Sequence, residues 1–558
     1  MPSINSAADP IARTPLRLGN TGQVVLIWRN KKVTKVHLSS ILRQSPTRRS
    51  VSTWGRVSGV KRYLALDMGA ESGRLMAVSI DKEITTQEIY RFQTPVKMDS
   101  RDRRCWDFPK IIDEVITALT KAGATGSYEG LAVDTWGLDF GLIDKDGEII
   151  ELPVSHRDHR TDGMLAKAFE LVGKDRLHNE SGCQLLEVNS IYQLLAIAQQ
   201  SPDEFEKAKH LLFMPDLVLY ALTGVIGTEY TIASTSGLYD VPKDRWADKL
   251  AKDLGIPIEI FGEVENPGTI RGVLKKEIQD KTGIGAITCI ATASHDTASA
   301  VFATPLLSPG SAYISSGTWS LMGVELTKPV VNEITMNQRL TNEGGYNRSI
   351  RLLRNIMGLW LIQEVRKNLK ENGQDYTYAQ LVELAAKEVN PFATLIYVDA
   401  SIFIHAGGMI ERIQRFAKNT SQPIPTTPGQ LAQTVFASLA LQYAKTCETL
   451  SACSNLPMPA IHIVGGGSQN EHLCQLTADI SNRQVIAGPV EATAMGNAMV
   501  QAIALGKQPH LTDTISARAL IEVSNLGLKK YNPSKDANSN TIAQVRTRYE
   551  RLTLEDMR

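Results

Sequence analysis

The chain reads as a mixed α/β protein made of two similar α/β units with a cleft between them. At 558 residues it exceeds what a single hydrophobic core usually supports. Each half holds two apolar, strand-like runs joined by a glycine-containing turn, Gly69-Ala70-Glu71-Ser72-Gly73 in the first and Ser316-Gly317-Thr318-Trp319 in the second. Each pair leads on to a helical stretch and a further buried strand, the pattern of a sheet covered by helices.

In the first half, Tyr63 to Asp67 and Arg74 to Ile80 are the paired strands, with a third around Thr86 to Phe92. A helix is predicted from Phe108 to Ala122, with Ile112, Val115, Ile116 and Leu119 on one face and Gly123 as its stop. A strand at Gly130 to Asp134 opens Asp134-Thr135-Trp136-Gly137-Leu138-Asp139-Phe140, and another strand ends at Asp144-Lys145-Asp146-Gly147. Residues 155 to 290 read as helical insertions, one closing at Leu222-Thr223-Gly224. Within them His156 and His159, set among arginines, read as a charged loop in preference to a metal pair.

The apolar run Thr288 to Ala293 precedes Ser294-His295-Asp296-Thr297-Ala298-Ser299, a carboxylate among small and hydroxylic residues after a strand. Such an Asp is commonly a turn or cap residue, but the position also suits a group that meets a ligand. In the second half, strands at Ala312 to Ser315 and Ser320 to Leu326 flank the second turn. Helices are expected over Leu352 to Leu369 and Gly429 to Cys453, then a buried strand from Ala460 to Val464. Gly465-Gly466-Gly467-Ser468-Gln469-Asn470 leads into a helix. A short strand (Gln484 to Ala487) leads to Glu491-Ala492-Thr493-Ala494-Met495-Gly496-Asn497, opening the next. The last fifty residues read as turns and a charged surface helix. The division expected is an extension at 1–60, an N-terminal domain at 61–305 and a C-terminal domain at 306–558.

The net charge of +1 gives no case for nucleic-acid binding, and no run of 18 apolar residues suggests a membrane span. Residues 1 to 60 nevertheless carry a net +9, leaving −8 for the rest. That segment lacks an apolar signal region; being Arg- and Ser-rich it fits a transit peptide or a non-native extension. The next methionine after Met1 is Met68, inside the first core strand, so a start at a valine such as Val51 or Val60 is preferred. Six scattered cysteines without a C-x-x-C pair fit reduced thiols and a cytoplasmic setting.

No P-loop and no G-x-G-x-x-G opening a helix occurs, so phosphate would need another cradle. The two glycine turns offer one, their small residues letting backbone N–H groups approach phosphate oxygens. Asp67, ending a buried strand, is either a hydrogen-bonded core carboxylate or one facing a cation such as Mg²⁺ on nucleotide phosphates. Gly465 to Gly467 is either a tight strand-to-helix turn or a flat platform for a ring and ribose. Asn355, Leu359 and Gln363, at spacing i, i+4, i+8, would share one helical face.

Together these segments resemble the FGGY carbohydrate kinase family of the actin-like ATPase superfamily, whose domains are ribonuclease H-like. The matching blocks are Leu66-Asp67 through Arg74, Asp134 to Gly137, Met214-Pro215-Asp216, Ser294 to Ser299, Ser315 to Ser320, Asn342-Glu343-Gly344-Gly345, Asn355 to Trp360 and Val464 to Asn470. The resemblance implies that Ala70, Glu71, Ser72, Gly73, Arg74 and Thr318 hold ATP phosphates, that Gln363 and Gly466 hold the nucleotide, and that Asp67 faces Mg²⁺. Gly137, His295, Asp296, Thr297 and Asn355 would contact the sugar, with Asp296 as catalytic base. Most members carry a Gly-Leu-Thr-containing helix after the second hairpin. Asn355-Ile356-Met357-Gly358-Leu359-Trp360 stands there instead and favours the subgroup acting on L-rhamnulose. The implied reaction is ATP-dependent phosphorylation of O1 to give L-rhamnulose 1-phosphate, in rhamnose breakdown. The rivals are another ketose or polyol as acceptor, and a nucleotide-binding sensor or actin-like ATPase without transfer. Neither nucleic acid nor membrane is an expected partner, and the oligomeric state, monomer or dimer, is left open.

Overall fold

The run Tyr63-Leu64-Ala65-Leu66 is apolar at every position because its strand is covered on both faces. In the computed structural model, β1 (Lys61–Met68) turns Leu64, Leu66 and Met68 toward helix α1 (Phe108–Gly123), and Tyr63 and Ala65 toward a helix contributed by the far end of the chain. Burying one such leucine stabilises the fold by roughly 1.5–3 kcal/mol. The described residues are 60–555 apart from 307, 525 and 536–538, together with the backbone of a separate antiparallel hairpin, Val24–Arg29 with Lys32–His37. The remainder of residues 1–59, and the readings made of that segment, lie outside the described residues.

β1 pairs antiparallel with β2 (Ser72–Ile80), which pairs antiparallel with β3 (Ile84–Gln93). The chain crosses through α1 to β4 (Gly130–Thr135), parallel to β1 on its other side. Helix α2 (Met214–Thr223) lies in the long insertion; β5 (Thr269–Val273) and β6 (Thr288–Ala291) then complete the sheet in the order β5-β6-β4-β1-β2-β3. Helix α3 (Asp296–Phe302) follows β6. The strand at Phe140–Ile143 stands outside this sheet, paired with His210–Phe213.

The second sheet repeats the plan. β7 (Ala312–Ser316) and β8 (Ser320–Leu326) form a hairpin, β9 (Thr341–Gly344) and β10 (Ile350–Ile356) extend it, and β11 (Ala460–Val464) runs parallel to β7. With β12 (Gln484–Ala487) and β13 (Lys529–Tyr531) the order is β9-β10-β8-β7-β11-β12-β13. Helix α4 (Trp360–Glu371) follows β10. The long α5 (Pro428–Ser454) is started by a Thr427–Gln430 capping box and leads into β11. Helix α6 (Glu471–Ser481) joins β11 to β12, and α7 (Ala492–Leu505) leaves β12 to lie on the first sheet. Gly496 makes that docking possible, since a Cβ there would stand 1.9 Å from the Ser299 carbonyl oxygen of α3. Residues Gly59–Arg558 are one compact unit.

Two sequence expectations are corrected. Leu352 to Ile356 is strand, not the start of a helix, so Asn355 shares no helical face with Leu359 and Gln363. Ile350-Arg351-Leu352-Leu353 is buried on both faces, which erases the two-residue alternation that marks a strand. The last fifty residues are not all surface. β13 extends the second sheet, and Val545, Tyr549 and Leu552 of the final helix enter its core as a stripe at helical spacing.

Candidate active site

Both glycine turns stand where expected, at the ends of the central strands. In the first, Gly69 N–H donates to the Ser72 carbonyl at 2.9 Å and Thr94 Oγ1 donates to the Gly69 carbonyl at 2.7 Å, fixing Gly69 to Glu71 as a short connection between β1 and β2. In the second, Gly317 N–H donates to the Trp319 carbonyl at 2.9 Å. The Leu359 and Trp360 N–H groups at the start of α4 donate to the Gly317 and Thr318 carbonyls at 3.2 and 3.0 Å. This turn abuts the triple glycine: a Cβ on Gly467 would stand 2.0 Å from Ser316 Oγ. Thr318, Gly466 and the first turn of α4, which carries Gln363, therefore gather at one end of the second sheet. Gln363 Oε1 is buried without a partner.

Three aspartates converge opposite. Asp67 and Asp134 are register partners on β1 and β4. Trp136 N–H reaches the Met68 carbonyl at 3.2 Å, and Thr135 N–H reaches the Ser294 carbonyl at 2.9 Å, which draws the Asp296 loop to the same edge. Asp67 Oδ2 accepts from Arg74 Nε and Nη2 at 3.0 and 2.8 Å, and Arg74 Nη1 pairs with Glu491 of the second half at 2.6 Å. The guanidinium is thus divided between two carboxylates. Asp134 is fully buried. Its Oδ2 accepts from Asn497 Nδ2 of α7 at 2.6 Å and its Oδ1 has no partner. Burial, and then the neighbouring Asp67 charge, push its carboxyl well above the ordinary range.

Asp296 opens α3, with its side chain 34% exposed and Oδ1 accepting from the Thr297 N–H and, at 3.1 Å, from Thr297 Oγ1. Burial raises its carboxyl; His295 opposes that rise and Asp67 adds to it. His295 Nε2 lies 3.5 Å from Asp296 Oδ1. Its Nδ1 lies 3.0 Å from Arg351 Nη2 and 3.2 Å from Glu343 Oε2, both from the second sheet. Among the described residues no three His, Cys, Asp or Glu groups form a metal cage.

The motif after β4 builds a separate hub. Leu138 takes a left-handed backbone (φ 81°), turning the chain so that Asp139 lies beneath Trp136. Asp139 Oδ2 accepts from Trp106 Nε1, Trp136 Nε1 and His156 Nδ1 at 2.8, 2.9 and 2.8 Å, and Oδ1 accepts from Gln193 Nε2 at 3.1 Å. Burial pushes this carboxyl up, but the His156 charge and the ring N–H donors override it and hold it below the ordinary range. Gly137 thus sits on a rigid aromatic support. Asn355, near the end of β10, reaches back to the first half through Gln184, whose Oε1 accepts from Asn355 Nδ2 at 3.2 Å. Sequence reasoning passed over Asp139, Glu229, Glu343, Arg351, Glu491 and Asn497. Only the unbroken Asp-Thr-Trp-Gly-Leu-Asp block, the Asn342-Glu343-Gly344-Gly345 block and the Glu491 to Asn497 turn marked any of them.

Two sheets of one plan, the first with its glycine turn beside clustered aspartates and the second with its turn against a triple glycine, are the fold and site of a sugar kinase of the actin-like ATPase type. Residues 62–303 match the N-terminal domain and residues 312–505 the C-terminal domain of the FGGY family of carbohydrate kinases, and the chain belongs to that family. It is 39% identical over 475 residues to a rhamnulokinase of Bacteroides thetaiotaomicron, covering 85% of this chain and 96% of that one. It is 38% identical over 471 residues to one of Mannheimia succiniciproducens, with 84% and 94% covered. Among solved structures, a ligand-bound xylulose kinase of Lactobacillus acidophilus superposes with a TM-score of 0.73 at 15% identity over 88% of this chain and 98% of that one. Plasmodium falciparum glycerol kinase with ADP gives 0.70 at 15% over 89% and 98%. The family and the actin-like fold expected from the sequence are both borne out.

Proposed function

We propose that this chain transfers the γ-phosphoryl group of ATP to the O1 hydroxyl of L-rhamnulose, giving ADP and L-rhamnulose 1-phosphate for rhamnose breakdown. The activity is the one for which its relatives are named, and the site has the parts it needs. One observation carries the reading: a partly exposed Asp296, drawn by the Thr135–Ser294 hydrogen bond to the edge that Asp67 and the first glycine turn share.

Phosphoryl transfer asks for in-line positioning, neutralised charge and an acceptor for the hydroxyl proton. Backbone N–H groups of Ala70 to Gly73 and of the Thr318 turn hold the phosphates, and Gln363 and Gly466 hold the nucleotide. The buried, unpartnered Gln363 Oε1 supplies an acceptor for an amino or hydroxyl group. Asp67, beside the unpartnered Asp134 Oδ1, is the carboxylate fitted to Mg²⁺, an ion usually held by one or two carboxylates plus phosphate oxygens. When bound, Mg²⁺ screens the phosphate charge. Gly137, His295, Thr297 and Asn355 orient the sugar. Asp296 takes the O1 proton as O1 bonds to the γ-phosphorus and the bond to the ADP oxygen breaks. The division at 305/306 would assign the sugar and proton chemistry to the first domain and the nucleotide to the second. A cytoplasmic setting is consistent with six free cysteines, and no described helix is long and apolar enough to cross a membrane.

The test is a coupled ADP assay of the purified protein with MgATP and a panel of ketoses and polyols. The reading requires the largest kcat/KM for L-rhamnulose; preference for another acceptor would replace the substrate and keep the class.

A further inference from the structure

In α2, in the segment after it and on β5 lies a group of buried charges that the phosphoryl chemistry leaves unused. Glu229 is fully buried at the start of a four-residue helix, Tyr230–Ala233. Part of its bonding is ordinary capping: Oε1 accepts from Thr231 N–H at 2.9 Å and Oε2 from Ile232 N–H at 3.1 Å. Capping does not account for the rest. Oε2 also accepts from the Ser294 N–H at 3.2 Å and from Thr231 Oγ1 at 2.6 Å, and Thr231 Oγ1 in turn accepts from the His295 N–H at 3.1 Å. Two successive N–H groups of the loop before Asp296 are therefore held by one carboxylate and one hydroxyl from more than sixty residues away. Lying ahead of α3, neither N–H has an intrahelical partner of its own. The Ser294 peptide is gripped on its other side by Thr135.

Behind Glu229 the chain of charges continues. Its N–H donates to Asp216 Oδ2 at 3.3 Å, Asp216 Oδ1 accepts from Arg271 Nη2 at 3.0 Å, and Arg271 Nε donates to Glu265 at 2.6 Å. Asp216 belongs to the Met214-Pro215-Asp216 block, to which sequence alone gave no role. Burying such groups is costly, and burial pushes the Glu229 carboxyl up to about 7. A capping residue on a four-residue helix would not require that cost.

We infer that Glu229 and Thr231 are positioning residues, setting the Ser294–His295 backbone so that Asp296 meets the acceptor hydroxyl in line with the transferred phosphoryl group. The inference rests on Asp296 acting as base. Thr231 is the sharper probe because one atom, Oγ1, links the carboxylate to the loop.

The test compares Thr231→Val, Thr231→Ser and Asp296→Asn in the full chain, measuring kcat with MgATP and sugar, MgADP affinity by calorimetry, and Tm. The valine variant is expected to lose about 10- to 100-fold in kcat, the scale of a small misplacement of reacting groups, with MgADP affinity within threefold of the parent. The serine variant, which keeps the hydroxyl, is expected to return to within about threefold of the parent kcat. Parent-like kcat in the valine variant, equal losses in valine and serine, or a kcat loss matched by an equal loss of MgADP affinity would each overturn the inference. If the valine variant does not fold, Glu229→Gln takes its place, turning an amide NH₂ on converging donors; parent-like kcat there overturns it too. Near-normal turnover in Asp296→Asn would instead overturn the base assignment beneath it.

Discussion

Asp296 is a carboxylate on which burial and the neighbouring charges pull both ways. Burial and Asp67 raise its pKa while His295 lowers it, and the raise prevails. A base must be ionised to take a proton, so the acid limb of the kcat/KM profile is expected to lie at a pH above the ordinary carboxylate range, with activity lost below it; a pH series at saturating MgATP measures this. Asp296→Asn is expected to lower turnover by roughly 100-fold or more while sugar and nucleotide affinities stay within a few-fold, checked by steady-state kinetics and calorimetry. Asp296 and the two glycine turns were legible in the sequence because their surroundings are unusual: small and hydroxylic residues at strand ends. Asp139, Glu229 and Glu343 were not. Each is a single acid whose meaning comes from partners distant in sequence, such as His156 for Asp139, Ser294 for Glu229 and His295 for Glu343.

At the scale of elements, β1 and β11 were legible as buried strands, whereas β10, also covered on both faces, was misread. β10 read as helix because Arg351, Arg354 and Asn355 interrupt its apolar residues without a two-residue alternation, and with it the supposed Asn355–Gln363 face was lost. β11 shows what such burial does to a polar residue. His462 is 3% exposed, its Nδ1 has no partner, and burial followed by the Arg518 and Lys530 charges lowers it to about 4. The unfolded chain protonates this histidine below about pH 6.5 whereas the folded chain resists until about pH 4, so stability falls as pH drops through that window. The contribution is about 3 kcal/mol. Urea denaturation of the parent and His462→Leu, at neutral pH and near pH 4, checks it: the parent should lose that much more than the variant. Equal losses would contradict it.

Across the whole molecule the two halves are joined by α7, a helix of the second half packed on the first sheet. Asn497 donates to buried Asp134, and Gln501 Nε2 donates to the Leu64 carbonyl at 2.8 Å. Asn497→Leu leaves that carboxylate without its donor, and is expected to cost roughly 1–3 kcal/mol in denaturant unfolding. It should also lower turnover, because Asp134 is the register partner of Asp67. The repeated hairpin, helix and strand made two α/β units readable from the sequence. The docking of α7 was not, since a stretch of alanines, methionines and one glycine fits any buried helix. Transfer from ATP to one hydroxyl of one sugar requires all of these scales together. Its most direct measurement is the fate of the γ-phosphoryl group when purified protein is given MgATP and L-rhamnulose. One L-rhamnulose 1-phosphate should form for each ADP, with little ADP in the absence of sugar. ATP hydrolysis at a rate indifferent to sugar, with no sugar phosphate formed, would contradict it.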